Sequence, residues 1–295
     1  MIDKAISPRN VAVMANPNIP EAVDFTKQVS SFLTENGIES DAGRLDDDNL
    51  RRRVNAQNFD LLIALGGDGT MLRAGHLCAP VDIPLLGINI GKFGFLAELT
   101  RENWRDLLPN LFSGDFWYEK RMMMIAYLIQ GGKETFISDV INDVVVARGQ
   151  FVRPIEVEAL LNGSRITSYI ADGLIAATPT GSTAYALAAG GPILPPELRN
   201  ILLMPVAPHL SVDRAVVLSE GASVIIRVKS SHEAVVSVDG QDPEHLSNGD
   251  EVKVTAHQKS LYMVRFEDPF YFYRNLISYM EHNPITSIKS NEQPN

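Results

Sequence analysis

The stretch Phe59–Thr70, FDLLIALGGDGT, limits what this chain can fold into more than any other. Leu61 to Leu65 is uniformly apolar. It lacks the every-other-residue alternation of a half-exposed strand, so it reads as a strand buried on both faces, the habit of parallel sheets. The run ends in Gly66-Gly67-Asp68-Gly69-Thr70, and Met71, Leu72, Gly75 and Leu77 follow at roughly helical spacing. Strand, glycine loop and helix in that order make an anion site. Glycines admit positive φ and keep Cβ atoms away from a phosphate, while the helix start supplies amide N–H groups and the positive end of a dipole. A plain Asp-Gly hairpin needs a second strand after the turn, and Thr70 to Leu77 patterns as helix instead. The loop is neither a Walker A sequence nor GxGxxG. Its one carboxylate, Asp68, is suited to take a proton from a substrate hydroxyl or to hold a metal.

The flanking sequence extends this pattern. Asn10 to Ala15 is an apolar strand, Glu21 to Asn36 an amphipathic helix stopped by Gly37, Asp46 to Ala56 a short charged helix, and Pro84 to Ile90 a second buried strand. That strand runs into another glycine turn, Gly91-Lys92-Phe93-Gly94-Phe95-Leu96, and Glu102 to Leu111 reads as the closing helix. Residues 1–114 are therefore expected to form an α/β, Rossmann-like domain, with ligands beyond the carboxyl ends of its strands.

From Asp115 the character changes. Met122–Gln130, Val144–Ala147, Ile155–Leu161, Val216–Leu218, Ser223–Val228, Ala234–Val238, Val252–Ala256 and Leu261–Phe266 read as strands, with turn signals at Gly131-Gly132, Asn162-Gly163, Asp239-Gly240 and Asn248-Gly249. Residues 115–281 are expected to form a β-rich, sandwich-like domain whose last segment packs back on the first, and 282–295 a tail without a core pattern. Only Ser182 to Ala189 patterns as helix there. It lies in Asp172–Leu194, DGLIAATPTGSTAYALAAGGPIL, where a Ser or Thr is expected to cap the helix, small residues admit a flat ring, and Tyr185 is suited to stack on a base.

A formal charge of −10 argues against a nucleic-acid partner, which needs clustered Lys and Arg. The single cysteine, Cys78, forms no internal disulfide and fits a reducing compartment. The first residues, MIDKAISPRN, show no leader pattern, and no run reaches ~18 apolar residues. The expectation is a cytoplasmic protein without a membrane partner.

GGDGT at 66–70, the Asn89-x-Gly91-x-Phe93-Gly94-Phe95-Leu96 turn, Asn142-Asp143 and DGLIAATPTGSTAYALAAGGPI at 172–193 occur together in one order and spacing. In this the sequence resembles the bacterial-type NAD kinase family over nearly its whole length. GGDGT alone is shared with diacylglycerol kinases and sphingosine kinases, and 6-phosphofructokinases carry a relative of it, whereas TPTGSTAY is specific. The resemblance implies that Asp68 is the base for the adenosine ribose 2′-hydroxyl of NAD, which attacks the terminal phosphoryl group of ATP. It implies that Gly66, Gly67, Gly69 and Thr70 shape the phosphate region, where Arg73 either reaches a phosphate or stays on the surface. Asn142 and Asp143 fall on the family's Asn-Glu pair, with Asp one methylene shorter than the usual Glu. Arg153 falls on a position often basic, and Asp172 on a carboxylate at the nicotinamide end. Thr183, Ala184 and Tyr185 fall on adenine-side contacts, in the segment that includes Thr180 and Ala188, and Gln241 on a late dinucleotide contact. A divalent cation, most simply magnesium, is implied with ATP, with no protein metal ligands assigned, and so is a homodimer or homotetramer. Two rivals remain: a lipid or sphingoid-base kinase, which needs an apolar channel, and a non-catalytic nucleotide sensor, which has no use for Asp68.

Overall fold

The structure, a computed structural model, describes residues 7–91, 94–209, 214–274 and 276. The tail expected at 282–295 lies outside the described residues, as do Lys92 and Phe93 of the second glycine turn. The chain divides into two compact units, Met1–Glu119 with Tyr262–Asn295, and Lys120–Leu261.

Unit 1 contains β1 (Asn10–Ala15), α1 (Pro20–Glu35), β2 (Glu39–Arg44), α2 (Asp48–Asn55), β3 (Leu61–Gly66), α3 (Asp68–Cys78), β4 (Leu85–Asn89), β5 (Leu99–Thr100), α4 (Trp104–Leu107) and α5 (Asn110–Ser113). Its strands are parallel in the order β2-β1-β3-β4, with β5 beside β4. Central placement explains the uniform apolarity of β3. Leu61, Ile63 and Leu65 share a core with Val11, Val13, Phe25, Val29 and Leu33, while Leu62 and Ala64 point to the opposite face and are equally buried. The β3–β4 register sets Gly66 beside Asn89, so both glycine turns leave the carboxyl edge as neighbours.

Two features differ from the sequence reading. β2, Glu-Ser-Asp-Ala-Gly-Arg, has no strand pattern; among the described residues it is an edge strand, paired along its length with β1 alone. The single helix expected over 102–111 is two short ones separated at Leu108–Pro109, because Pro109 has no N–H to continue the ladder.

Unit 2 contains most of β6 (Trp117–Gln130), then β7 (Lys133–Val140), β8 (Asp143–Arg148), β9 (Ile155–Leu161), β10 (Ser164–Ala171), β11 (Gly173–Ala177), α6 (Tyr185–Ala188), β12 (Asn200–Val206), β13 (Val216–Ser219), β14 (Val224–Val228), β15 (Ala234–Val238), β16 (Glu244–Leu246) and most of β17 (Glu251–Arg265). Within the unit β10-β9-β14-β17-β6-β7 form one sheet and β13-β12-β11-β8-β15-β16 the other. Val157, Val224 and Val252 from the first meet Val144, Leu174, Leu203 and Val236 from the second in one core. This is the expected sandwich. The two strands expected at 252–256 and 261–266 are one, β17. Its last residues belong to unit 1, where Met263 pairs in parallel with Leu85.

Candidate functional site

At the end of β3 the glycines divide their work. Gly66 has φ +156°, and a Cβ there would lie 2.7 Å from Thr70 Cβ. Thr70 is buried, and its Oγ1 accepts from Asn16 Nδ2 at 3.0 Å. Gly67, with φ −93°, caps α3 without a side chain to satisfy the first amides, and around Gly67 and Gly69 no neighbouring atom lies within 4 Å of an added Cβ. The expectation that the loop glycines serve positive φ is thus corrected. Gly66 has it; Gly67 and Gly69 leave volume in front of a helix start.

Asp68 is the first residue of α3. Its Oδ2 accepts from the Phe95 N–H at 2.9 Å and its Oδ1 from the Leu96 N–H at 3.1 Å. Each oxygen keeps a lone pair for another partner, since a carboxylate offers about four acceptor directions. Gly94 admits this approach: a Cβ there would overlap Asp68 Oδ1 and stand 3.0 Å from Cγ. Asn89, buried at the end of β4, accepts from the Gly91 N–H at 2.9 Å. Arg73 is exposed on α3. The carboxylate is held by backbone from the second glycine turn, a link that sequence spacing does not reveal.

In unit 2 the predicted residues gather at the two ends of β8 and β11. The antiparallel register pairs Ala177 with Asp143 and Gly173 with Ala147. At the Asp143 end, Thr178 receives the Gly181 N–H on its Oγ1 at 3.0 Å and donates the same hydroxyl to Ile141 O at 2.5 Å. The Asn142 carbonyl packs on Gly181, where a Cβ would overlap it and stand 2.8 Å from Asn142 Cα. Thr180 is buried and accepts from Arg121 Nη1 at 3.2 Å, and Thr183 Oγ1 donates to Thr180 O at 3.1 Å. α6 starts after Ala184 with no side-chain cap; Ser182 instead bonds Pro179 O and the Leu194 N–H, and the expected cap falls to Thr178 on the preceding turn. Tyr185 is 46% exposed, a ring with an open face, and Ala188 is exposed beside it on the same turn. Gln241 is exposed just past β15, its N–H bonded to Val238 O at 2.9 Å.

Asp239, seen in the sequence only as a turn residue, ties this end together. At φ +51° its carboxylate accepts the N–H groups of Ile141, Asn142 and Asp143 at 2.8, 2.8 and 2.9 Å. Burial, with the Asp239 carboxylate nearby, pushes the Asp143 carboxyl up to about 7, opposed by the Tyr185 backbone N–H. The sole signal for this role is an Asp-Gly turn at a strand end, which says nothing of what the carboxylate reaches.

Asp172 is at the other end, six residues before Thr178, so about 20 Å away at ~3.4 Å per strand residue. It pairs with Arg148 at 3.2 Å, and Arg148 Nη1 also donates to Phe151 O at 3.2 Å in the loop that carries exposed Arg153. Arg148 was not anticipated, because nothing local in the sequence marks it as the partner of a residue twenty-four positions on. Asp172 and Arg153 are therefore not among the residues clustered at Asn142–Asp143.

A lone carboxylate poised on a glycine loop at the head of a parallel sheet, in a chain whose other half is a β-sandwich with a small-residue turn, defines a two-part enzyme of the kinase class. Comparison with known proteins narrows the class. The ATP-NAD kinase N-terminal domain family matches residues 45–116 and the ATP-NAD kinase C-terminal domain family residues 141–266. An NAD kinase of Chloroflexus aurantiacus is 36% identical over 268 residues, 91% of this chain and 97% of the relative. One of Natranaerobius thermophilus is 37% identical, over 83% and 89%. The chain belongs to the NAD kinase family. The fold agrees with solved structures of a yeast NADH kinase complexed with NADH (TM-score 0.82, 24% identity, 95% of this chain and 89% of that one) and of an Archaeoglobus fulgidus NAD kinase in complex with ATP (TM-score 0.74, 24% identity, 92% and 98%).

Proposed function

We propose that the protein phosphorylates the adenosine ribose 2′-hydroxyl of NAD with ATP, giving NADP, and that Asp68 is the general base. The observation that carries this is the hold on Asp68. Two backbone N–H groups fix both carboxylate oxygens, while the glycines beside it leave room for a phosphate. Phosphoryl transfer asks for positioning and charge neutralisation; the loop serves the first, and the start of α3 together with the cation carried by ATP serves the second. Asp68 orients the hydroxyl and takes its proton as the oxygen attacks the γ-phosphorus and ADP leaves. Gly66, Gly67, Gly69 and Thr70 line the phosphates, and Arg73 offers its charge from α3.

In unit 2, Asn142, Asp143, Thr180, Thr183, Ala184, Tyr185, Ala188 and Gln241 hold the adenosine part of the dinucleotide, and Asp172 with Arg153 its nicotinamide part. The length of β11 between the two groups suits an extended dinucleotide. The shorter Asp143 accepts from the Tyr185 N–H, and in this reading a water bridges it to a ribose hydroxyl. The divalent cation, most simply magnesium, arrives as the ATP complex. Among the described residues no three His, Cys, Asp or Glu side chains converge on a metal position; in this reading the cation's ligands are phosphate and water oxygens.

Among the described residues no helix is long and apolar enough to cross a membrane. A cytoplasmic location is supported by the lone, buried thiol of Cys78. A homodimer or homotetramer is supported by the apolar loop tip Phe151-Val152, 70% and 84% exposed, which a second copy would cover; sedimentation showing a fully active monomer at micromolar concentration would remove this. The decisive experiment incubates pure protein with MgATP and NAD and detects NADP with a dehydrogenase that accepts only NADP. Asp68→Asn should cost about 10²- to 10⁴-fold in kcat without loss of fold, and retention of more than about a tenth of the rate would exclude Asp68 as the base.

A further inference from the structure

Arg265, at the end of β17 in unit 1, is wholly buried. Its Nε and Nη2 donate to Glu119 Oε2 at 3.0 and 2.9 Å, and the guanidinium lies 4.5 Å from the Tyr271 ring centroid. The Tyr271 hydroxyl donates to Glu119 Oε1 at 2.7 Å, so Glu119 is held at both oxygens. The remaining arm, Nη1, donates at 3.0 Å to the carbonyl of Leu96, the residue whose N–H holds Asp68 Oδ1. Two residues on, Glu98 Oε1 accepts the N–H groups of Phe266 and Glu267 at 3.0 and 2.7 Å.

We infer that Arg265 is a positioning residue for Asp68, acting through the Leu96 carbonyl. The inference rests on Asp68 being the base. A buried ion pair adds little net stability compared with apolar packing, but its directional bonds fix geometry. Here that geometry is spent on one carbonyl of the turn that grips the carboxylate. Leu96 is clamped on both sides, by Asp68 at its N–H and by Arg265 at its C=O. Glu98 ties the same segment to the chain just past Arg265. The turn cannot drift without breaking this frame, and neither can the proton acceptor.

The test compares Arg265→Lys, whose point charge cannot serve Glu119 and the Leu96 carbonyl as a planar fork does, with Tyr271→Phe, which leaves Arg265 in place. Arg265→Lys should lower kcat about 10- to 100-fold while KM for NAD and for ATP stay within about twofold, as befits a group that touches neither substrate. Tyr271→Phe should lower kcat a few-fold. In the Asp68→Asn background both should cost less than about twofold, because their effect runs through the carboxylate. Amide exchange of Leu96 in Arg265→Lys should quicken at least about tenfold with β4 unchanged; this readout also serves if the residual Asp68→Asn rate is too small to measure. Should Arg265→Lys fail to fold, Tyr271→Phe carries the same test. Equal rate losses with and without Asp68, an unchanged kcat, or unchanged Leu96 exchange would overturn the inference while leaving Asp68 as the base. A fully active Asp68→Asn would overturn both.

Discussion

Around Gly67 and Gly69 of unit 1 a missing Cβ leaves open space, whereas at Gly173 and Gly181 of unit 2 it lets backbone pack on backbone. A Cβ at Gly173 would lie 2.8 Å from Val146 O, and one at Gly181 would overlap the Asn142 carbonyl. In the first loop Gly67 and Gly69 leave open space at the start of α3, while Gly66 makes room for Thr70. The second is a wall, where Gly181 seats the Thr178–Tyr185 turn on the Asn142 carbonyl and Gly173 seats β11 on β8. Two glycine-rich segments that look alike as sequence thus teach that small residues can make room for a partner or remove room between neighbours.

Substitutions should separate the two. Gly181→Ala should cost most, about 3 kcal/mol of stability at the upper end of overpacking, read as a lower urea midpoint; a wild-type midpoint would mean the wall is soft. Gly94→Ala presses only on the end of the Asp68 side chain, so its urea midpoint should hold while kcat falls about 10²-fold. If both hold, the carboxylate tolerates displacement.

The charge buried in the wall gives a third contrast. The Asp143 carboxyl, pushed up to about 7, binds a proton in the folded state that the unfolded chain has released above ~4. Stability should therefore be greatest at the acid end of this window and fall as pH rises from about 4 to 7, by at most about 1.4 kcal/mol per pH unit. Asp143→Asn should flatten that slope in urea titrations; an unchanged slope would place its origin elsewhere. Gly69→Ala should have the smallest effect on stability, within about 1 kcal/mol and in the favourable direction for a first-turn helix position, while KM for ATP rises several-fold if the methyl enters space that the phosphates use. Equal loss of stability in Gly69→Ala and Gly181→Ala would erase the distinction between the two loops.

Most elements with two-sided burial or clean alternation were legible, although β12, apolar and paired on both sides, was not. β3 and β4 announce themselves by unbroken apolar runs, and β9 and β15 have the limits expected of them. The others that escaped notice include β2, β7 and β10, each of which, among the described residues, pairs with a single neighbour. An edge strand is held by backbone hydrogen bonds on one side, and its side chains need not carry a hydrophobic pattern. The same limit applies to the site. Asp68 stood out because a carboxylate among glycines after a buried strand is a local pattern, whereas its tethers, Phe95 and Leu96, lie twenty-seven and twenty-eight residues away.

The order of apolar runs, glycines and turn pairs by itself determined that the chain is an α/β unit joined to a β-rich one, and it singled out Asp68 and the Thr178–Tyr185 turn as the residues on which the proposed chemistry rests. Only the tertiary structure decided that Asp239 gathers the Ile141–Asp143 amides, that Arg148 faces Asp172, and that Arg265 reaches the turn holding Asp68. The reason is physical. Periodicity and turn chemistry act over a few residues and are written locally. The partner of a buried charge is whichever group the folded backbone carries to within about 3 Å, and no local pattern names it.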